Sequence, residues 1–390
     1  MLSEIVFWTA SALLAWVYLG YPVLVAVVGW LAPWRSEPSN PPPTLTIAIA
    51  VHNEAATMAE RVANVLDPRV QAGARIAEVI IGCDGSSDGT DRIAARLAVA
   101  EPRLHVLVLP RRGQTATQHT MIEGATGDVV ILSDAETRFE PGCLARLADA
   151  FRDPRVGAAT GRLEWRNEAA TATSSNEGLY WRYERRIREL ESRAGFLTAV
   201  TGALLAVRRS SYRSVPPTAS MDHLLPLYVR EEGGEVVYVP GAVATDRPIS
   251  GLREQFRNRS RTASRGIRAN LSMAGRLAPW GHAQAALSIW SHKLLRWATP
   301  WLIVAVLGAG LIVASRGSQA ATIAVAVIAT GVLAAAAGQL LASSGRRPPR
   351  PLAFARAFAI VNLAFARAWL DVFTGRRIEA WKGVEWEQPS

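Results

Sequence analysis

Residues 129–133, Val-Val-Ile-Leu-Ser, run straight into two carboxylates, Asp134 and Glu136. A short apolar run of this kind reads as a strand buried on both faces, as in a parallel sheet covered by helices. No other stretch restricts the fold as strongly, because it demands an α/β layer on either side. Ligands of open α/β sheets bind off the carboxyl ends of the strands, so acids at i and i+2 there are placed for chemistry. Two such acids can share one divalent cation, and Mg²⁺ or Mn²⁺ would in turn hold phosphate oxygens. Taken alone, an Asp-Ala-Glu turn would be read as a solvated acidic turn.

The upstream segments repeat the pattern. Residues 44–51 (TLTIAIAV) read as a first strand, ending in His52, Asn53 and Glu54, and residues 57–66 as a helix with Met58, Val62 and Leu66 on one face. Residues 79–82 read as a second strand, followed by Cys83-Asp84-Gly85-Ser86-Ser87-Asp88-Gly89-Thr90 and a helix over 91–98. A third strand at 104–109 leads into Arg111-Arg112-Gly113 and a helix near 117–125. Strands alternating with helical periods predict a parallel sheet with right-handed crossovers. Each polar cluster alone is ordinary turn chemistry. Three in succession along one sheet edge read jointly as a nucleotide site, with Arg111 or Arg112 near phosphate. No G-x-G-x-x-G follows the first strand and no G-x-x-x-x-G-K-[ST] occurs, which argues against a dinucleotide enzyme and a P-loop NTPase.

The ends of the chain are of another kind. Residues 5–31 are almost uncharged and long enough to cross a bilayer, with Trp8, Trp16, Tyr18, Tyr21 and Trp30 as interfacial anchors. Glu4, the absence of an early Lys or Arg and the length of the run weigh against a cleaved signal peptide. Arg35 follows the span, so the positive-inside rule places the next domain in the cytoplasm. Residues 36–43, with four prolines, read as an extended tether. Net charge is +10 and mean hydropathy +0.12, with Lys only at 293 and 382. A basic balance fits a nucleic acid, an anionic membrane face or a phosphorylated substrate. Cys83 and Cys143 lack metal-type spacing and read as reduced, in the core or lining a site.

The ordered motifs resemble the family-two inverting glycosyltransferases with a GT-A fold and membrane anchors, over about residues 44–271. His52-Asn53-Glu54, Asp84 to Thr90, Asp134-Ala135-Glu136, Val156 to Gly161 (VGAATG) and Thr201 to Arg208 (TGALLAVR) carry the resemblance. It implies an α/β, GT-A (Rossmann-like) mixed sheet with flanking helices, plus N- and C-terminal transmembrane helices. It also implies that Asp84 contacts the nucleotide base, with Asn53, Glu54, Ser86, Asp88 and Arg112 in the same donor site. Asp134 and Glu136 would hold ribose, diphosphate and metal, although Glu136 stands where the family pattern has a second Asp.

Met221-Asp222-His223 opens an apolar helix, where an Asp ordinarily stabilises the helix start. The family places its general base here in a Glu-Asp or Asp-Asp pair. Asp222 matches the second member and Met221 replaces the first. His223 reads as a surface residue of the first turn, with tuning of Asp222 as the alternative. Upstream, Tyr180 and Trp181 lie on an amphipathic stretch, as core packing or as an acceptor wall. Arg253, Arg257, Arg261 and Arg265 form a basic stripe suited to an anionic membrane face. Processive relatives carry Q-x-x-R-W near this point. Here Asn258-Arg259-Ser260-Arg261-Thr262 keeps the Arg, so Arg261 is a diphosphate candidate, and lacks the Gln and Trp.

Residues 290–297 combine His292, Lys293 and Arg296 with two Trp, as at a membrane interface. Residues 302–314 and 320–342 read as two spans around an Arg316-Gly317-Ser318 turn, and Arg346, Arg347 and Arg350 return the chain to the cytoplasm. Residues 352–373 contain Arg356, Asn362, Arg367 and Asp371, favouring an interfacial helix over a third C-terminal span. The expected organisation is therefore 1–34 membrane helix, 35–43 tether, 44–250 catalytic domain, 251–293 interfacial helices, 294–342 two spans and 343–390 basic loop, interfacial or third C-terminal membrane helix, and tail. The expected function is a multi-pass inner-membrane glycosyltransferase with a cytoplasmic catalytic domain and no nucleic-acid partner. Its expected partners are a nucleotide-sugar donor, a divalent cation (Mg²⁺ or Mn²⁺), the lipid bilayer and a lipid-linked or polysaccharide acceptor. The alternatives are a processive polysaccharide synthase and a catalytically silent scaffold or glycan-binding protein.

Overall fold

The computed structural model describes residues 1–165, 172–246 and 251–376, with the backbone alone at 172–181 and at Pro279. Two compact units divide the chain. In the first, described over residues 34–165 and 197–246, eight strands form one sheet in the order β3-β2-β1-β4-β7-β6-β8-β5. They are β1 (Thr44–Val51), β2 (Arg75–Asp84), β3 (Leu104–Leu109), β4 (Val129–Ser133), β5 (Arg138–Phe139), β6 (Val156–Trp165), β7 (Leu205–Arg208) and β8 (Glu235–Asp246). β3, β2, β1 and β4 are mutually parallel, as their apolar runs predict. β7 then pairs antiparallel with both β4 and β6, which makes the sheet mixed.

Burial follows the strand period. Leu45, Ile47 and Ile49 on β1, Val79 and Ile81 on β2, and Val129 and Ile131 on β4 form one core with Met58, Val62 and Val65 of the helix Met58–Leu66. Leu144, Leu147 and Phe151 close the same core. Each fully buried aliphatic side chain stabilises the unit by about 1.5–3 kcal/mol before entropy is counted. Both cysteines are free and buried. The proline-rich residues 35–43 are extended but tied down: Glu37 N donates to Asp153 Oδ2 at 2.7 Å, and the Ser39 and Asn40 amides donate to Arg152 O.

The second unit contains the apolar helices. Among the described residues three helices are long and apolar enough to cross a membrane, Leu2–Leu31, Gln319–Ser343 and Arg350–Phe373. A fourth crossing arises if Trp280–Leu295 and Thr299–Ala314, bent by 63°, count as one span. Phe7 and Ala10 pack with Val306, Ala309, Val313 and Ala321. Trp30, Leu333 and Ile323 remain exposed at 73%, 71% and 64%, which an apolar surround such as lipid would accommodate. The helix Ala172–Ala194 groups with these helices rather than with the sheet. Tyr180 and Trp181 lie outside the described side chains.

His292, Lys293 and Arg296 are buried inside this unit and do not form an interfacial surface. Lys293 Nζ and Arg296 Nη1 lie 3.2 and 2.5 Å from the Glu184 carboxylate. Glu191 Oε1 accepts from Tyr21 Oη at 2.5 Å and from Ser288 Oγ at 3.0 Å, with His292 Nδ1 at 2.9 Å. Charges withdrawn from water need such partners, since an uncompensated buried ion costs several kcal/mol.

Candidate active site

The loops after β1 and β2 are laced together. Asn53 adopts φ 56°, a left-handed conformation that Asn tolerates better than most residues. Its Oδ1 accepts from Ser87 N at 2.8 Å and its amide donates to Ser86 Oγ at 3.2 Å. Glu54 is buried, its amide donating to Thr90 Oγ1 at 2.9 Å and its Oε2 accepting from Thr57 Oγ1 at 2.9 Å. Asp88 spends both oxygens on the same loops, accepting from Ala55 N, Thr90 N and Thr90 Oγ1.

Asp84 ends β2 and is 1% exposed. It accepts from Arg112 N at 2.7 Å, from Gly113 N at 3.0 and 3.1 Å and from Arg111 Nη1 at 3.0 Å. The acid therefore builds the 111–113 loop as an anion-accepting turn does, through backbone amides. Gly85 sits at φ +61°, and a Cβ there would meet Arg111 N at 2.9 Å. The Arg112 side chain itself is exposed.

The helix Gln114–Gly124 starts directly after this loop, and Gln114 Nε2 donates to Asp134 Oδ1 at 2.7 Å. β4 thus delivers Asp134 to a point reached from the β3 side. Burial pushes the Asp134 carboxyl well above the usual carboxylate range, and the charges of Glu136, Asp246 and Asp222 push in the same direction. The Gln114 hydrogen bond opposes them without prevailing. A carboxyl held up by three neighbouring acids is short of positive charge. Arg138 braces the turn, donating to Ala135 O at 2.9 Å and pairing with Glu60 at 3.2 Å.

Asp222 occupies the first turn of the helix Met221–Glu231. His223 is 12% exposed at its side chain and is not a surface residue: its Nδ1 lies 3.1 Å from Asp222 Oδ1 and 2.8 Å from Ser220 Oγ. Burial works to raise the Asp222 pKa, but the charge and hydrogen bond of His223, with Ser220, bring it down to about 2. Asp222 is therefore ionised at neutral pH. Gly202 packs beside it, where a Cβ would stand 3.5 Å from Asp222 Cγ.

The sheet unit brings together Asn53, Glu54, Asp84, Ser86, Asp88, Asp134, Glu136 and Asp222, and uses the backbone of Arg112. Arg261 belongs to the other unit, on the helix Leu252–Ala274, where its Nη2 donates to Asn258 Oδ1 at 2.8 Å. Asp246 and Gln114 join the acids although sequence reasoning did not select them, and His223 takes the tuning position that stood as the alternative to a surface one. An acid closing an apolar strand was a signal for Asp246; nothing local marked Gln114. Among the described residues no three His, Cys, Asp or Glu side chains gather as a metal-holding group. Two carboxylates, Asp134 and Glu136, still fit a cation that takes its remaining oxygens from a diphosphate and water, as Mg²⁺ commonly does.

A mixed sheet of this order, with acids and tight loops at the ends of β1, β2 and β4, is the GT-A fold. The same fold is found in the mannosyltransferase PcManGT from Pyrobaculum calidifontis, solved in complex with GDP-Man and Mn²⁺ (TM-score 0.68, 22% identity, covering 95% of this chain and 100% of that one). Residues 46–215 match the model described as Glycosyl transferase family 2. Relatives include N-acetylglucosaminyltransferases of Rhizobium leguminosarum bv. viciae (27% identical over 244 residues) and of Rhizobium sp. strain N33 (27% over 266 residues). The matches cover 58% and 63% of this chain, and the chain spans 57% and 59% of those relatives.

Proposed function

We propose that this protein transfers a sugar from a nucleotide-sugar to a hydroxyl acceptor with inversion, by a single displacement. The observation that carries the reading is an ionised Asp222 whose charge acts on Asp134, a second carboxyl short of positive charge. One acid serves as base and the other as part of a cation and diphosphate site. The acceptor oxygen bonds to the anomeric carbon as the carbon–oxygen bond to the nucleoside diphosphate breaks. The acceptor proton passes to Asp222, and the bonding pair leaves with the diphosphate. A carboxylate near pKa 2 is a weak base, so it takes the proton late, once the new bond has acidified the hydroxyl.

Asp134 and Glu136 would hold Mg²⁺ or Mn²⁺, which when bound supplies positive charge for the departing diphosphate. The loops built by Asn53, Glu54, Asp84, Ser86 and Asp88 would seat the nucleoside, and Arg112 would meet phosphate. The relatives' names put a nucleotide-linked N-acetylglucosamine first among donors to test.

The apolar helices support a multi-pass protein of the inner membrane, and Arg35 after the first of them supports a cytoplasmic catalytic domain. The acceptor is then a lipid-linked saccharide or an envelope or exopolysaccharide chain. The test gives membranes containing wild type or Asp222→Asn a panel of radiolabelled nucleotide-sugars with native lipid extract. Incorporation by wild type and its loss in the variant are expected. No incorporation from any donor would favour a silent scaffold, and long polymer a processive synthase.

A further inference from the structure

Helix Met58–Leu66 buries four residues, Met58, Arg61, Val62 and Val65, and one of them is an arginine. Arg61 is 0% exposed, on the same buried face as Met58, Val62 and Val65. A guanidinium in such a place costs several kcal/mol unless its partners repay the lost hydration. One partner adjoins the acids, and another lies on its own helix. Nη2 donates to Ser133 Oγ at 2.7 Å, and Nη1 donates to Asn64 Oδ1 at 3.0 Å. The guanidinium carbon lies 4.3 Å from the centre of the Phe139 ring. Asn64 in turn clamps Phe139, accepting from its amide and donating to its carbonyl, each at 2.9 Å. Nε is buried without a hydrogen-bond partner.

The contact with Ser133 leads further. Ser133 is the residue before Asp134, and its hydroxyl donates to Ala203 O at 2.9 Å. Ala203 follows Gly202, the residue packed against the Asp222 carboxyl. A continuous path therefore runs from Arg61 through Ser133 to the backbone that seats Asp222, while Ser133 itself fixes the start of the Asp134 turn. Burial brings the Arg61 pKa down to about 9, with Arg138 pulling the same way and Asp134 and Asp246 opposing. The group stays charged at neutral pH, behind the acids.

We infer that Arg61 is a positioning residue for the transfer: through Ser133 and the carbonyl of Ala203 it sets the spacing between the Asp134 turn on the donor side and Asp222 on the acceptor side. The inference rests on the reading of Asp134 and Asp222 under Proposed function. It differs from a packing role in what it moves. A shift of one ångström between reacting groups lowers turnover about 100-fold without requiring weaker ground-state binding.

The experiment uses the full chain in membranes, as wild type, Arg61→Met, Arg61→Lys, Ser133→Ala and the Arg61→Met/Ser133→Ala double variant. Binding of UDP and GDP with Mn²⁺ is measured by calorimetry, alongside kcat and donor KM. Expected are a fall in kcat of about 10- to 100-fold for Arg61→Met and Ser133→Ala, with donor KM and nucleotide binding within about twofold of wild type. The double variant should be no worse than Arg61→Met, because both changes cut one path, and Arg61→Lys should recover part of the loss. Wild-type kcat in Arg61→Met, or losses that multiply in the double variant, would overturn the inference. If Arg61→Met fails to fold, Ser133→Ala decides, since it removes only the hydroxyl link; wild-type kcat there is equally fatal. Failure of wild type to bind either nucleotide and to turn over any donor would instead sink the functional reading, and this inference with it.

Discussion

Replacing Asp222 by Asn separates its chemical role from its structural one. The carboxyl is held at about 2, against an ordinary Asp value near 3.9. At about 1.4 kcal/mol per pH unit, the folded state gains at most about 2–3 kcal/mol from ionised Asp222. The folded value is depressed, so this stability is fully present above pH 4 and is lost as pH falls through about 2. Asn preserves shape and a carbonyl for His223 Nδ1, now 3.1 Å from Oδ1, so the measured loss at pH 7 should lie below that ceiling. Losing a general base typically lowers turnover 10²- to 10⁴-fold. The expected result for Asp222→Asn is thus a loss of up to about 2 kcal/mol in denaturant unfolding at pH 7. Nucleotide binding should be retained, and incorporation of label should fall by at least about 100-fold. Transfer within a few-fold of wild type would refute Asp222 as base. Loss of transfer that merely tracked loss of folded protein would refute the reasoning as well.

Three further outcomes follow from other contacts. Gln114→Leu removes a hydrogen bond that opposes the rise of the Asp134 carboxyl, so proton competition should weaken Mn²⁺ binding several-fold at pH 6, and less at pH 8, by electron paramagnetic resonance. Gly85→Ala places a Cβ 2.9 Å from Arg111 N at φ +61°; strain of about 1–3 kcal/mol should appear in unfolding, with nucleoside diphosphate affinity reduced because the 111–113 loop shifts. Glu184→Gln takes from Lys293 and Arg296 the carboxylate they both contact and should destabilise the helical unit by about 3–5 kcal/mol, read as a lower Tm in detergent, with UDP binding by the sheet unit unchanged.

Much of the sheet unit was legible in the chain because its signals are local. The apolar runs at 44–51, 104–109 and 129–133 fall on β1, β3 and β4; β1 and β4 are buried on both faces inside the parallel part of the sheet, whereas β3 is its half-exposed edge. The resemblance added the mixed order and a role for Asp222. Local reading erred where a charge faces inward. His223 has the look of a first-turn surface residue and instead holds Asp222, and the basic cluster at 292–296 has the look of an interface and instead neutralises Glu184 and Glu191.

Two kinds of information therefore divide along a physical line. The sequence alone placed the four parallel strands and the apolar helices, with acids after β1, β2 and β4, because hydrophobic period and turn chemistry act over a few residues. Only the tertiary structure decided which charges are partners. Arg61 meets Ser133 72 residues away, Tyr21 meets Glu191 170 residues away, and Gln114 crosses from one strand end to reach Asp134. A buried ion is stable only where distant groups converge to replace its water, and that convergence is a property of the folded chain.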